Sequence, residues 1–399
     1  MKVLIIGGGV GGLCLAHSLL RAGVPVEVHE RDTTPEGRRQ GYRLRISPEG
    51  EQGLRACLPQ ELQDLLVATA NRREHGGLAA YDERLEPQWA PTVPDSRGEA
   101  PDRIDAVDRV TLRRILLTGL ERVVRFGRDC RDVEFLPDGR VRAHFAQGDP
   151  AEGDLLVAAD GAGSRIRARL RPQDRPKDLG VRTVFSRIPR AAAHSAGLPE
   201  VLRDRFSYVI GSDGHHLGLM PMVFREAPTA AARRLAPAAR LTDPEDYYMA
   251  VFNVHRGDLA LPDEEFFALS GKQLNALVTQ RTAGWHPALR GVFDHADTEQ
   301  SFAVALRATV PVEPWEPGPV VPLGDAAHTM PPSGGVGANT ALRDAAGLGR
   351  ALSEAAAGRE DLAAALASYQ QAMAEYAEEG VQLSLRIAKW SIPATEVPA

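Results

Sequence analysis

The sequence predicts an α/β protein. Both ends of the chain build one parallel-sheet domain, a mostly antiparallel β insert lies between them, and a helix follows at the C-terminal end. Three observations predict this. A short apolar strand runs directly into Gly7-Gly8-Gly9-Val10-Gly11-Gly12. A Gly324-Asp325 segment leads into a helix of small residues more than three hundred positions later. Between the two, β-like runs are separated by proline- and alanine-rich connectors.

Residues 2–30 form a β-α-β unit. Residues 2–6 are a continuous apolar run, as a central parallel strand buried on both faces requires. Residues 11–22 have helical pattern, Gly23 is a helix stop, and 24–30 resume as a second strand. An amphipathic helix is expected over 109–123, with Leu112, Leu116 and Leu120 on one face. Residues 131–135 and 141–145 read as a hairpin closed by Pro137-Asp138-Gly139, and 154–159 as another buried strand.

Beyond Pro172 the pattern changes, and 180–188, 206–211, 216–224 and 247–255 look like antiparallel strands. Residues 319–323 return to a buried strand, and 337–352 and 362–387 are helical. The expected partition is a discontinuous Rossmann-like domain of 1–70, 101–175 and 278–350, an inserted domain of 71–100 and 176–277, and a C-terminal helix and tail over 351–399.

With 399 residues, 43% hydrophobic and 25% charged, the chain has ample core for this plan. A net charge of −6 argues against a nucleic-acid or anionic-membrane surface. The apolar run Val3-Leu4-Ile5-Ile6 is too short to span a membrane. Cys14, Cys57 and Cys130 form no CxxC, so neither a metal site nor a disulfide centre is suggested, and a reduced, cytoplasmic protein is expected.

In Gly7-x-Gly9-x-x-Gly12 the first glycine permits a tight turn, the second admits a pyrophosphate, and the third lets helix and strand pack closely. Unpaired N–H groups at the helix start favour the anion, with Gly11 among them. Glu30, 18 residues after Gly12, ends the second strand where a carboxylate can accept both hydroxyls of an adenosine ribose, and Arg31 stands beside it. This motif alone does not separate FAD from NAD.

Together with Asp160-Gly161, Ser164 and Arg167, and with Gly324-Asp325 and the small-residue run after it, the chain resembles the class A FAD-dependent monooxygenases, the aromatic hydroxylases typified by p-hydroxybenzoate hydroxylase and including tetracycline-inactivating enzymes. The resemblance spans residues 3 to 344. It implies an FAD-binding domain and a substrate domain formed by the β insert. It implies that Asp325 holds the ribityl or nearby hydroxyls, that Pro332 lies beside the isoalloxazine, and that Gly335, Gly337, Ala338 and Asn339 open a helix aimed at the flavin. Arg109 resembles the arginine that reaches FAD phosphate or ribose. Arg38, Gly41 and Arg45 fall in the stretch lining the ribityl chain. Asp160 belongs to a segment touching flavin and pyridine nucleotide, and it also suits the cap of a helix over 163–170. His328 is structural by the same comparison.

The implied chemistry is reduction of FAD by NADPH or NADH, reaction with O2 to a C4a-hydroperoxyflavin, and hydroxylation of an aromatic or polyketide-like, polycyclic substrate. It requires no Ser-His-Asp or two-carboxylate constellation, and no catalytic side chain is assigned. No second glycine motif serves a separate nicotinamide domain. On the insert, Tyr208, His215, His216, Met220, Met222, Asn253 and His255 are candidates to orient substrate, although packing roles suit each of them singly. No metal, nucleic acid or stable membrane association is expected, and the protein is expected to be a monomer or weak homodimer. Baeyer–Villiger or epoxidising chemistry, or a redox-silent FAD-binding accessory role, stay open. Trp390-Ser391-Ile392-Pro393 echoes a flavin-dependent halogenase segment, but Ala388 and the position near the terminus set it aside as coincidence.

Overall fold

Five short strands lie side by side, all parallel, in the order Val320–Pro322, Leu155–Ala158, Val3–Ile6, Val26–His29 and Val124–Arg125. The structure, a computed structural model, describes residues 1–35, 37, 42–72, 77–90 and 103–392. Val3–Ile6 and Leu155–Ala158 are buried at every position, which is why they read as unbroken apolar runs. One face of this sheet packs on the helix Val10–Arg21 and the helices around it. The other carries a three-stranded antiparallel sheet, Ala151–Gly153, Val141–Phe145 and Cys130–Phe135, through Leu4, Ile6, Val133 and Val141. The hairpin expected over 131–145 is present, with a third strand added.

The helix expected to reach residue 123 ends at Leu117. Thr118 turns its hydroxyl back to the Arg114 carbonyl, and Gly119 adopts φ 84°, a conformation that stops a helix at little cost for glycine. Val124–Arg125 is thereby freed to become the edge strand.

The second large sheet has seven strands, in the order Asp297–Ala308, Lys177–Pro189, Tyr247–His255, His216–Met222, Phe206–Ile210, Leu78–Asp82 and Pro87–Gln88. All neighbours are antiparallel except Phe206–Ile210 and Leu78–Asp82. Asp297–Ala308 corrects the expected partition: it pairs along Lys177–Pro189, so part of 278–350 belongs to this sheet. Leu274, Val278, Leu289 and Val292, from the helices preceding that strand, pack on the sheet's outer face.

Alternation sorts the two faces. Tyr248, Ala250, Phe252 and Val254 point to that outer helical layer, while Met249, Val251 and Asn253 point inward. A ribbon of Arg43–Arg45 and Ala106–Asp108 connects the two halves. Its Asp108 caps the helix Arg109–Leu117 through Thr111 N at 2.8 Å and accepts from the Tyr247 hydroxyl of the large sheet at 3.0 Å. The helix Gly337–Ala356 packs against Val10–Arg21, and the 30-residue helix Leu362–Ser391 runs along it. Among the described residues no helix is long and apolar enough to cross a membrane.

Candidate functional site

The glycine turn divides its residues by what surrounds them. A Cβ on Gly7 would lie 2.1 Å from the Ala159 carbonyl oxygen, and one on Gly12 would lie 2.2 Å from the Gly7 carbonyl oxygen. Both positions are closed by backbone. Around Gly9 a Cβ would meet nothing within 4 Å, because that side opens into a cavity of about 410 Å³. Gly9 caps the helix Val10–Arg21 without a side-chain hydrogen bond, and no acid stands in the first turn. The first N–H groups of a helix have no partner within it, so this end presents donors and positive potential to the cavity.

Glu30 has a role that the sequence does not announce. Its Oε2 accepts from Gly8 N at 2.7 Å and its Oε1 from Asp32 N at 2.9 Å, so the carboxylate braces the glycine turn. Arg113 completes the brace, donating to the Gly8 carbonyl at 3.2 Å and the Pro35 carbonyl at 2.7 Å, with Asp32 Oδ2 at 3.3 Å. Sequence reasoning chose Arg109 and missed Arg113, one helical turn on; that i+4 spacing was the available signal.

The Gly-Asp segment is held from below. Asp344 accepts three hydrogen bonds: Gly324 N at 2.8 Å, His328 Nε2 at 2.7 Å and the Tyr376 hydroxyl at 2.7 Å. Burial alone would push the His328 pKa down, but the charge and hydrogen bond of Asp344 outweigh it and hold the imidazole above its ordinary value. His328, fully buried, is an anchor. The neighbouring Asp325 differs. It is an exposed residue that lines the cavity, and desolvation by the surrounding protein raises its pKa against the opposing charges of His328, Arg109 and Arg167. Arg167 ties the two motifs together, donating to the carbonyls of Asp325 and Ala326 at 3.1 and 3.0 Å and of Ala162 at 2.6 Å.

Asp160 caps the helix Arg165–Leu170 through Oδ2, 2.9 Å from Arg165 N, while its buried Oδ1 has no hydrogen-bond partner among the described residues and burial raises its pKa. It is therefore both a cap and an unsatisfied acceptor in the cavity wall.

One cavity thus gathers Gly9, Gly11, Gly12, Glu30, Arg31, Arg45, Arg109, Asp160, Asp325, Pro332, Gly335, Gly337 and Ala338. Asn339 departs from expectation and does not line it. Its amide is spent on backbone, accepting from Ser47 N at 2.8 Å and donating to the carbonyls of Arg45 and Gly335 at 2.9 and 2.6 Å. It stitches the Arg43–Arg45 strand to the start of the helix Gly337–Ala356, whose N-terminus also lacks a side-chain cap. Arg38 and Gly41 lie outside the described residues, as does Pro393.

The opposite wall is the inner face of the seven-stranded sheet: Phe185, Phe206, Tyr208, Gly218, Met220, Met249, Val251 and Asn253. Of the insert candidates, Tyr208, Met220 and Asn253 face the cavity. The other four do not line it: His215 pairs with Asp213 at 3.0 Å, His216 and Met222 are buried in the sheet layer, and His255 accepts from Gly257 N.

Residues 285–384 match a family of FAD binding domains. The chain is 32% identical over 398 residues to the dual O-methyltransferase/FAD-dependent monooxygenase elcB of Phaeosphaeria nodorum, an alignment covering 90% of this chain and 41% of that protein. It spans 41% to 45% of the length of the dual-function fungal relatives it matches. The aurachin C monooxygenase/isomerase of Stigmatella aurantiaca is 28% identical, with 97% of this chain and 88% of that protein aligned. A crystal structure from Photorhabdus luminescens, described as an FAD containing monooxygenase, superposes with a TM-score of 0.80 at 30% identity, covering 98% of this chain and 99% of that one.

Proposed function

Because this chain belongs to the FAD-dependent monooxygenase family, we propose that it uses NADH or NADPH and O2 to hydroxylate an aromatic or polycyclic small molecule. The single observation that carries this reading is the cavity. One wall offers two helix N-termini without side-chain caps and the cavity-lining carboxylate of Asp325; the other is an apolar, aromatic sheet face.

The first wall fits FAD on its own geometry. Gly9 leaves open space in front of the N–H groups of the helix Val10–Arg21, where a pyrophosphate finds donors and positive potential, with Gly11 and Gly12 behind and Arg109 beside it. Glu30 keeps lone pairs for ribose hydroxyls while bracing Gly8, and Arg31 adjoins it. Asp325 offers a cavity-facing acceptor for the ribityl hydroxyls, and the orphaned Oδ1 of Asp160 offers another acceptor. Arg45, Pro332, Gly335, Gly337 and Ala338 would flank the ring system.

Bound FAD supplies two-electron reduction by the nicotinamide and activation of O2, one oxygen atom going to the substrate and the other to water. The chain's own residues do the rest. The N-terminus of the helix Gly337–Ala356 places positive potential where negative charge develops. Phe185, Met220, Met249 and Val251 exclude water and hold an apolar ring against the cradle. We extend the reading to a cytoplasmic protein acting as a monomer or weak homodimer.

The test begins with the purified protein, expected to be yellow, with NADH or NADPH oxidation and O2 uptake accelerated by a suitable aromatic. Asp325→Ala then addresses the site: loss of one charged acceptor should weaken FAD binding about ten- to hundredfold, with far-UV circular dichroism unchanged. Undiminished flavin content in Asp325→Ala would mean that the ribityl contact lies elsewhere.

A further inference from the structure

The helix Leu362–Ser391 ends over the seven-stranded sheet. Ser391 and the following Ile392 line the cavity and are 1% and 4% exposed. Trp390 sets its ring edge-on to Tyr208 at 5.3 Å, and Trp89, just past the strand Pro87–Gln88, sets its ring edge-on to Trp390 at 6.2 Å. Tyr208 is buried in the cavity wall, whereas Trp89 is 73% exposed. Three aromatic rings therefore run from the cavity to the surface. Folding gains little from a tryptophan left in water, so the outer end of this line is poorly explained by packing.

The sheet continues the line inward. Gly218 pairs with Tyr208 on one side and Val251 on the other, and Val251 pairs with Phe185. Glycine within a strand packs nothing and marks a close approach. Its neighbours do not demand it: a Cβ would lie 3.0 Å from the flexible end of Met220 and 3.6 Å from the Tyr208 ring. The missing side chain keeps the floor flat. With strands about 4.8 Å apart, Tyr208 and Phe185 are separated by three gaps, or about 14 Å, a longer reach than one benzene ring. Beside Val251 along the same strand, Asn253 accepts from the Thr183 hydroxyl at 2.7 Å, while its amide nitrogen reaches the Val251 carbonyl only at 3.5 Å. A donor is thus available to a ring oxygen.

We propose that the cavity selects fused, planar aromatic ligands of two or three rings laid over Gly218, and that Trp390, from behind the cavity lining, sets this selection by backing the Tyr208 ring that forms the end wall. The fate of the ligand rests on the flavin monooxygenase reading; its binding does not.

The experiment is equilibrium dialysis of the FAD-loaded protein against 4-hydroxybenzoate, 2-naphthol and 1,8-dihydroxyanthraquinone, probes of one, two and three rings. The three-ring probe is expected to bind about tenfold or more tightly than the one-ring probe. Trp390→Ala should weaken the two larger probes about tenfold and 4-hydroxybenzoate less than about twofold, with Trp390→Phe restoring most of the loss. Gly218→Ala, whose methyl Met220 can accommodate, should also weaken the larger probes selectively, so the inference does not depend on one variant folding. Equal affinities across the probes, or an equal loss for all three in Trp390→Ala, overturns it. Repeating the titration without FAD separates the two readings. Ranking by ring number and dependence on Trp390 in a protein that never takes up FAD would sustain this inference and remove the flavin reading. FAD that binds and is reduced, with no effect of ring number, would remove this inference alone.

Discussion

Beneath the glycine wall of the cavity, the Asp344 carboxylate takes hydrogen bonds from a backbone N–H, an imidazole and a phenol, each in a fixed direction. On the sheet wall, Phe185, Met220 and Met249 belong to one apolar cluster with Met222 and Phe224, side chains that ask only for volume. Directional contacts fail when one partner is lost, because the others are left buried and unsatisfied. Volume contacts tolerate exchange, provided the space stays filled. A wall of the first kind suits a cofactor that never changes. A wall of the second kind can be refitted to a new substrate without unbuilding the first.

The largest test of that contrast is Asp344→Ala. It strands His328, Gly324 N and the Tyr376 hydroxyl at once, and removing one partner of a buried charged network costs about 3–5 kcal/mol. Urea unfolding should show a loss of that size, together with failure to retain FAD, because the Gly324-Asp325 turn loses its anchor. A loss below about 1 kcal/mol would mean that the network does not hold the turn.

The next test comes from acid. His216 lies in the sheet layer, 1% exposed, and neither ring nitrogen has a hydrogen-bond partner among the described residues. Burial holds its pKa down to about 4, against an opposing pull from Asp213. The unfolded value is about 6.5, so the folded value is depressed and the unfolded state binds the proton first. Its contribution is fully present above pH 6.5 and is lost as pH falls toward 4, a change on the order of 3 kcal/mol. His29, on the glycine side, is also held near 4 by burial, so His216→Leu should remove part of the acid limb and leave the rest. Superimposable stability profiles for the variant and the parent between pH 7 and pH 4 would show that His216 does not titrate as its burial requires.

The same contrast explains what was legible beforehand. The glycine turn, the acid at the end of the second strand and the Gly-Asp segment could be read because backbone approach and charge each demand particular residues at particular spacings. Asp297–Ala308 was not legible as a sheet member. It is an edge strand opening with the polar Asp297, Thr298, Glu299 and Gln300, and its apolar run, Phe302 to Leu306, is too short for pattern alone to tell strand from buried helix. Leu78–Asp82 joins Phe206–Ile210 from more than a hundred residues away, a pairing that no local pattern encodes. Asn339 has the right spacing for a flavin contact, yet its amide serves three backbone groups whose positions only the fold determines. On the sheet wall, residue type gave no guide at all: Met220 faces the cavity and Met222, two positions on, does not line it.

The smallest expected effect is the most specific to the sheet wall. Met220→Leu conserves volume, and such exchanges in packed regions usually cost under about 1.5 kcal/mol. The cradle lies across the cavity, so FAD content should equal that of the parent. What changes is shape: the thioether of Met220 reaches toward Gly218, and the shorter, branched leucine withdraws from the flat floor while widening near the strand. Affinity for planar aromatics should therefore shift by a few-fold while urea stability and flavin binding hold, and the shift should differ between one-ring and three-ring probes. If Met220→Leu instead releases FAD, the two walls are mechanically one, and the division between a directional cofactor wall and an adjustable substrate wall does not describe this molecule.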